Sequence, residues 1–242
     1  MANFVLVHGA WHGAWCWRDV LPLLWQAGHR AHAVTLTGLG DRAHLLSPSI
    51  DLQTHIQDVT ATIVAEELTD VVLVGHSYAG MLITAVADIM PEKLSHLVYV
   101  DAVVPKPGES WSSTHTAAVQ RLRLTAANKD ELFSFPPPDP HVFGLENTQY
   151  EWVRRRQTAH PGQTYQATLD FNPETVAKLT RTFISCTEPA LATIDAIRPR
   201  VKSKDFWNGA WLPNSHYFEM QTGHDPMISD PQGLFEILNN CQ

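Results

Sequence analysis

The sequence predicts an α/β fold: a mostly parallel sheet with helices on both faces and one inserted helical segment. Two observations carry that expectation. Short apolar runs alternate with helix-length amphipathic stretches up to about residue 105, the pattern of right-handed βαβ units. The alternation breaks between residues 106 and 177 and then resumes. We therefore expect a core made of residues 1–105 and 178–242, with residues 106–177 inserted as a cap or lid. A long insertion in a regular α/β domain is more often functional than structureless.

Phe4-Val5-Leu6-Val7 reads as the first strand. It runs into two tandem units, His8-Gly9-Ala10-Trp11 and His12-Gly13-Ala14-Trp15, then Cys16-Trp17. Small residues directly after a strand let a backbone N–H approach a ligand closely. From Trp17 to Ala27, Val20, Leu21, Leu23, Leu24 and Trp25 stand at helical spacing, and Gly28 ends the helix. His32 to Leu36 reads as the second strand. The loop Thr37 to Arg42 is glycine-punctuated but lacks the G-x-G-x-x-G spacing of a nucleotide site. Asp51 to Glu66 reads as a helix with Leu52, Ile56, Val59 and Ile63 on one face and Asp51 at its N-terminus. Val71-Val72-Leu73-Val74 is a buried strand, Met81 to Ile89 a helix closed by Pro91, and Leu94 to Val100 a strand that ends at Asp101. Beyond the insertion, Arg181 to Cys186 and Ser215 to Met220 read as strands. Pro231 opens a closing helix through Leu238.

Composition narrows the function. Apolar residues make up 44% and charged residues 17%, which suits a soluble domain with a full core. A net charge of -8 without any basic cluster argues against nucleic acid and anionic membrane as partners. No run approaches the ~20 apolar residues of a membrane span. No charged stretch followed by an apolar one opens the chain, so a cytoplasmic location is expected. Cys16, Cys186 and Cys241 are scattered and lack C-x-x-C spacing, which points to reduced thiols. The 13 histidines form no H-E-x-x-H pattern, and we expect neither a metal nor a cofactor. The run Glu151 to Arg156 reads as a solvated face.

The chemistry centres on Gly75-His76-Ser77-Tyr78-Ala79-Gly80. A strand turning sharply into a helix strains its turn residue and points that side chain over the sheet end. Small residues are needed on either side, where strand and helix backbones pass close. A serine hydroxyl is a poor nucleophile alone; it needs a base, and the base needs an orienting acid. His224, late in the chain within Gly223-His224-Asp225-Pro226-Met227, fits the base. His216 lies within a strand and does not. The acid is Asp101 by preference, at the end of the strand after the serine's. Glu188 is the alternative and Asp195 a third candidate. The oxyanion donors are the backbone N–H groups of Tyr78 and Ala10. Gly9, Trp11 and His76 are the expected pocket residues.

Together the H-G-A-W-H-G-A-W-C-W start, the T-G-L-G-D-R-A-H-L loop, G-H-S-Y-A-G and G-H-D-P-M resemble the α/β-hydrolase superfamily. More narrowly, the chain is similar to the branch of plant methyl-ester esterases, hydroxynitrile lyases and bacterial EstC-type esterases. The likeness spans nearly the whole chain except the insertion. It implies Ser77 and His224 as nucleophile and base, with Ala10 and Tyr78 as oxyanion donors. Two departures stand out. The plant members carry an aspartate after the strand end where this chain reads Cys186-Thr187-Glu188-Pro189. The lyases carry a threonine in the first strand-end loop and a lysine after the base, where this chain reads Gly9 and Asp225.

The resulting expectation is a serine carboxylic-ester hydrolase acting on small to medium hydrophobic or aromatic esters through an acyl-enzyme. Its partner is a small-molecule ester, with a homodimer as one assembly. The alternatives are a lyase or C–C hydrolase on the same triad, or a small-molecule receptor with slow turnover.

Overall fold

A computed structural model describes residues 1–241. Six strands form one sheet: β1 (Asn3–Val7), β2 (Arg30–Val34), β3 (Val71–His76), β4 (Leu94–Val100), β5 (Thr180–Cys186) and β6 (Ser215–Met220). Their order is β6-β5-β4-β3-β1-β2, and every pairing is parallel. All six residues of β3 are buried, because helices cover both faces of a parallel sheet. The edge strand β6 is more exposed, with Phe218 42% accessible. The chain leaves β1 for β2 on one side and returns to β3 on the other. Such a switch in strand order opens a crevice at the C-terminal strand ends. Residues 8–11 and Ser77 flank that crevice.

The helices that frame the sheet are α1 (Leu21–Gln26), α2 (Leu52–Ala65) and α3 (Ala79–Ile89). In α2 an Asp51 carboxylate oxygen accepts the Thr54 N–H at 2.9 Å, so the N-terminal donors are capped as the sequence suggested. Two boundaries differ from expectation. The helix read from Trp17 begins at Leu21, because Pro22 belongs in a first turn, and Ala14–Trp17 is a separate 3-10 turn. The strand read to Leu36 ends at Val34, and the Leu36 N–H turns instead to His8 Nε2 at 3.1 Å.

Between β4 and β5 the chain forms α4 (Ala117–Ala127), α5 (Asn147–Arg154) and two small antiparallel pairs, Glu109–Ser110 with Thr168–Leu169 and Ser134–Phe135 with His160–Pro161. Buried rings from this stretch, Trp111, Phe135 and Phe143, face Trp11. Arg154 and Arg155 are exposed, whereas the Arg156 guanidinium lies 4.7 Å from the Trp152 ring centre. The closing helix is α6 (Pro231–Asn239). Among the described residues no helix is long and apolar enough to cross a membrane. The three cysteines are free and buried.

The turn from β3 into α3 is packed without slack. A Cβ on Gly75 would stand 2.8 Å from Ile83 Cγ2, and one on Gly80 would land on the carbonyl oxygen of Val103. Gly80, not position 79, therefore carries the second strict demand for a missing side chain. Gly80→Ala should cost about 2–3 kcal/mol by overpacking. Ala79→Gly should cost about 1 kcal/mol or less. Urea unfolding of the two variants checks the ranking.

Candidate active site

Three strand ends bring the chemistry together. Ser77 follows β3 with φ +55°, a left-handed conformation costly for a residue with a side chain. Surrounding hydrogen bonds hold it there. Its N–H donates to Val100 O at 3.1 Å, and its carbonyl accepts from Gly80 N at 3.2 Å and Val103 N at 3.0 Å. Trp11 after β1 (φ +63°) and Asp101 after β4 (φ +41°) are left-handed as well. In each case the left-handed residue lies beyond the strand, in the loop or turn that follows it.

His224 arrives on the loop after β6. Its backbone is fixed from two sides: its N–H donates to Phe143 O at 2.9 Å, and its carbonyl accepts from His76 Nε2 at 2.9 Å. The ring then spans two partners. Nε2 lies 2.9 Å from Ser77 Oγ, and Nδ1 lies 2.7 Å from Asp101 Oδ2. The Asp101 carboxylate is fully buried, and its other oxygen accepts the Cys186 N–H at 3.2 Å and Arg198 Nη2 at 3.0 Å. The remaining candidates lie elsewhere. Glu188 is exposed, and its carboxylate has no hydrogen bond or ion pair among the described residues. The Asp195 side chain is 64% exposed and pairs with Arg198 at 2.6 Å. His216 is exposed on β6.

The backbone donors expected for an oxyanion are Ala10 and Tyr78. Both residues are buried, and neither N–H has a hydrogen-bond partner among the described residues. Buried N–H groups are nearly always paired. Two unpaired ones flanking a reactive hydroxyl suit an incoming oxygen. A Cβ on Gly9 would come within 2.8 Å of Ser77 Cβ and 2.7 Å of His76 Nδ1, so the loop reaches the serine only because residue 9 is glycine. The Gly9 carbonyl accepts from His8 Nδ1 at 2.7 Å. In a trans peptide the C=O and N–H point oppositely, so this bond also aims the Ala10 N–H. His8 Nε2 accepts from Leu36 N, so the ring is neutral, and burial pushes its pKa down to about 3.

Aromatic rings wall the site. Trp11 meets Trp111, Phe135 and Phe143 at centroid distances of 6.1, 5.8 and 6.4 Å. Phe143 stands 5.6 Å from the His224 ring, and Tyr78 stands 4.9 Å from Trp111. The Arg123 guanidinium lies over Trp111 at 4.7 Å and Trp11 at 5.1 Å, with burial lowering its pKa to about 10. His76 is 1% exposed, its Nε2–H directed to the His224 carbonyl. His76, His224 and Asp225 bring donor atoms within 4.8 Å of one another, but both His224 nitrogens are already engaged by Ser77 and Asp101. That donor set is a hydrogen-bond network, and we assign no metal to it.

Sequence reasoning did not find Arg198, His8 or His12. Nothing in the run Ile197-Arg198-Pro199-Arg200 marks one arginine for a partner 97 positions away. The histidines of the tandem H-G-A-W units offered a signal, since each precedes a glycine in a tight approach, Gly9 against Ser77 and Gly13 against Gly40.

Residues 4–237 match the family described as the α/β hydrolase family. Over 246 residues the chain is 38% identical to a carbendazim hydrolyzing esterase of Nocardioides sp. (strain SG-4G), covering 98% of each chain. It is 30% identical over 270 residues to methylesterase 1 of Arabidopsis thaliana, covering 96% of this chain and 92% of that one. Its fold superposes with a TM-score of 0.82 on an extracellular α/β-hydrolase from a Paenibacillus species, at 19% identity and over 100% and 99% of the two chains.

The Asp101–Arg198 pair yields a stability prediction. Arg198→Met leaves the Asp101 carboxylate buried without its cation and should cost about 3 kcal/mol in urea unfolding. Glu188→Gln, on the exposed carboxylate, should change stability by less than about 0.5 kcal/mol.

Proposed function

The chain belongs to the α/β hydrolase family, and on that footing we propose that it is a serine carboxylic-ester hydrolase working through an acyl-enzyme. One observation carries the reading: the continuous contact from Ser77 Oγ through His224 to the buried Asp101 carboxylate, at 2.9 and 2.7 Å. The esterase relatives from Nocardioides and Arabidopsis support the same reaction class.

In this mechanism Ser77 Oγ attacks the ester carbonyl while His224 Nε2 takes its proton. The carbonyl oxygen becomes an oxyanion and accepts from the N–H groups of Ala10 and Tyr78. One such donor is typically worth about 10²–10³ in rate. His224 then protonates the departing alcohol, leaving an acyl group on Ser77. Water attacks that ester with His224 as base again, and the acid and Ser77–OH are released. Asp101 keeps Nδ1 protonated and Nε2 free to accept, and it balances the imidazolium as it forms. The rings of Trp11, Trp111, Phe135 and Phe143 favour small to medium hydrophobic or aromatic esters. Residues 106–177 are proposed as the cap that brings three of those rings over a core formed by residues 1–105 and 178–242. Gly9 serves as the close wall beside the nucleophile.

The lyase alternative is disfavoured by position 225. Where the lyases that the sequence resembles have a lysine, this chain has an aspartate turned to His12 at 3.0 Å. A receptor with slow turnover has no observation in its favour over an enzyme. Free buried cysteines support a cytoplasmic setting. A homodimer is the assembly to test by sedimentation.

The deciding experiment is p-nitrophenyl acetate hydrolysis under pre-steady-state conditions. A burst of p-nitrophenol stoichiometric with enzyme is expected, and Ser77→Ala should abolish both burst and turnover. Equal slow release by both proteins would exclude the mechanism. Asp101→Asn should lower kcat by up to about 10⁴-fold, and Glu188→Gln should leave it within about twofold. The reverse pattern would move the acid to β5.

A further inference from the structure

A second group of charged and titratable side chains lies directly beneath the site. His12 Nδ1 is 2.7 Å from the Ala10 carbonyl oxygen, and Nε2 is 3.0 Å from Asp225 Oδ2. His12 and Asp225 are 1% and 0% exposed. A carbonyl oxygen can only accept, and so can a carboxylate. Both ring nitrogens therefore face acceptors, and both bonds form at once only if both nitrogens carry hydrogen. That species is the imidazolium.

The surrounding histidines have other patterns. His8 has one acceptor and one donor around its ring, the pattern of a neutral imidazole. His76 donates from Nε2 to the His224 carbonyl, while its buried Nδ1 has no partner. Burial drives the His76 pKa well below its ordinary value, so it brings no charge to Asp225, although its Nε2 lies 3.4 Å from Oδ1. His12 alone moves the other way. Burial is the largest single influence and lowers its pKa, but the charge and hydrogen bond of Asp225 and the bond to the Ala10 carbonyl together outweigh it, and the net lies above 6.5. Burial likewise raises the Asp225 pKa, yet the charge and hydrogen bond of His12 bring it down to about 2. The titratable groups around the His12–Asp225 pair are thus His8 on the same loop and His76 at the end of β3, near His12, and His76, His224 and the Cys16 thiol, near Asp225. The Trp15 ring stacks on His12 at 5.1 Å with an interplanar angle of 21°, which suits a cation.

We propose that His12 is a positioning residue held as an imidazolium, and that its ion pair with Asp225 ties the oxyanion loop to the loop carrying the base. The inference rests on the ester-hydrolase reading above. His8 fixes the peptide that contains the Ala10 N–H, and His12 fixes the next peptide through the Ala10 carbonyl. With both carbonyls held, the Ala10 donor is aimed before the substrate arrives and needs no reorganisation when the oxyanion forms. Asp225 directly follows His224, so the same ion pair sets the distance between oxyanion donor and base. His12 and Asp225 touch none of the reacting atoms.

The charge also gives the tie a pH window. A raised His12 pKa contributes stability that is complete below 6.5 and lost as pH rises through the folded value. A depressed Asp225 pKa contributes stability present above 3.8 and lost as pH falls through about 2. Between 3.8 and 6.5 both contributions are in place.

The test combines three readouts. In uniformly ¹⁵N-labelled wild type at pH 7, His12 should show two protonated ring nitrogens; one bare nitrogen overturns the proposal, whatever the activity. In Asp225→Asn, the asparagine oxygen can still accept from Nε2, but the charge that held the proton is gone. Its kcat should approach wild type at low pH and fall as pH rises through the lowered His12 pKa, a descending limb that wild type lacks there. A profile parallel to wild type overturns the proposal. His12→Gln can still reach Asp225 but not the Ala10 carbonyl. It should lose about 10–100-fold in kcat, toward the value of an oxyanion donor, with KM changed less than about threefold. Affinity for a trifluoromethyl ketone, which forms an oxyanion on Ser77, should fall by the same factor as kcat. A folded His12→Gln protein within about twofold of wild type overturns it. Wild type without Ser77-dependent turnover would instead sink the hydrolase reading and leave the ¹⁵N result standing.

Discussion

The left-handed turn at Ser77 is the constraint on which the site depends. At φ +55° the chain leaves β3 and enters α3 within two residues, and the hydroxyl projects from the sheet edge. Bonds to Val100 and Val103 hold the turn, so β4 and the loop after it brace the nucleophile directly. The absence of side chains at Gly75 and Gly80 then follows from space, because each lies against a neighbouring backbone or side chain with no room for a Cβ. Gly9 repeats the condition from the other side: the β1 loop can bring its N–H to the serine only by passing against Ser77 Cβ and the His76 ring. Strain at the strand end and glycines around it belong to one geometric requirement.

The same closeness buries Asp101 and Asp225 completely, and that burial governs their charges. A buried carboxylate persists only with partners that replace water. Asp101 has His224, Arg198 and the Cys186 N–H; Asp225 has His12. Each acid has one full cation beside it, and the other nearby imidazoles, His8 and His76, are kept neutral by burial. The two acids are not interchangeable. Asp101 faces the ring nitrogen remote from Ser77, where the proposed mechanism needs its acid. Asp225, one residue beyond the proposed base, faces the β1 loop instead.

Much of this was legible in the sequence, and the reasons are local. The strands, their order of use and the elbow are written in short-range patterns: apolar runs, small residues at the turn, a proline after the helix. The resemblance rests on those same segments. What a one-dimensional reading could not settle depends on which strand ends become neighbours. Asp101 and Glu188 were both carboxylates at strand ends, and only the pairing of β4 with β5 shows one beside the His224 ring and the other exposed. Arg198 left no trace, because an arginine in a polar stretch looks solvated until a partner 97 residues earlier folds against it. Boundaries slipped where a single residue overrode periodicity, as Pro22 did for α1.

On the proposed reading of residues 106–177 as a cap, their contacts with the His224 loop limit how closure can occur. The His224 N–H is bonded to the Phe143 carbonyl, and Gly223 lies so close that a Cβ there would land on that same oxygen. Gly144, at φ +78°, has Gly223 Cα 3.0 Å from where its own Cβ would be. Residues 143–144 and 223–224 therefore pack backbone against backbone. A swing of the whole segment would pull on His224, the proposed base. Movement that admits substrate must leave this contact intact and take place where side chains, not backbones, meet, such as Trp111 and Phe135 over Trp11. β4 and Val103 are bonded to Ser77 and the stretch around Phe143 is bonded to His224, so the part of the insertion that carries neither tie is α4.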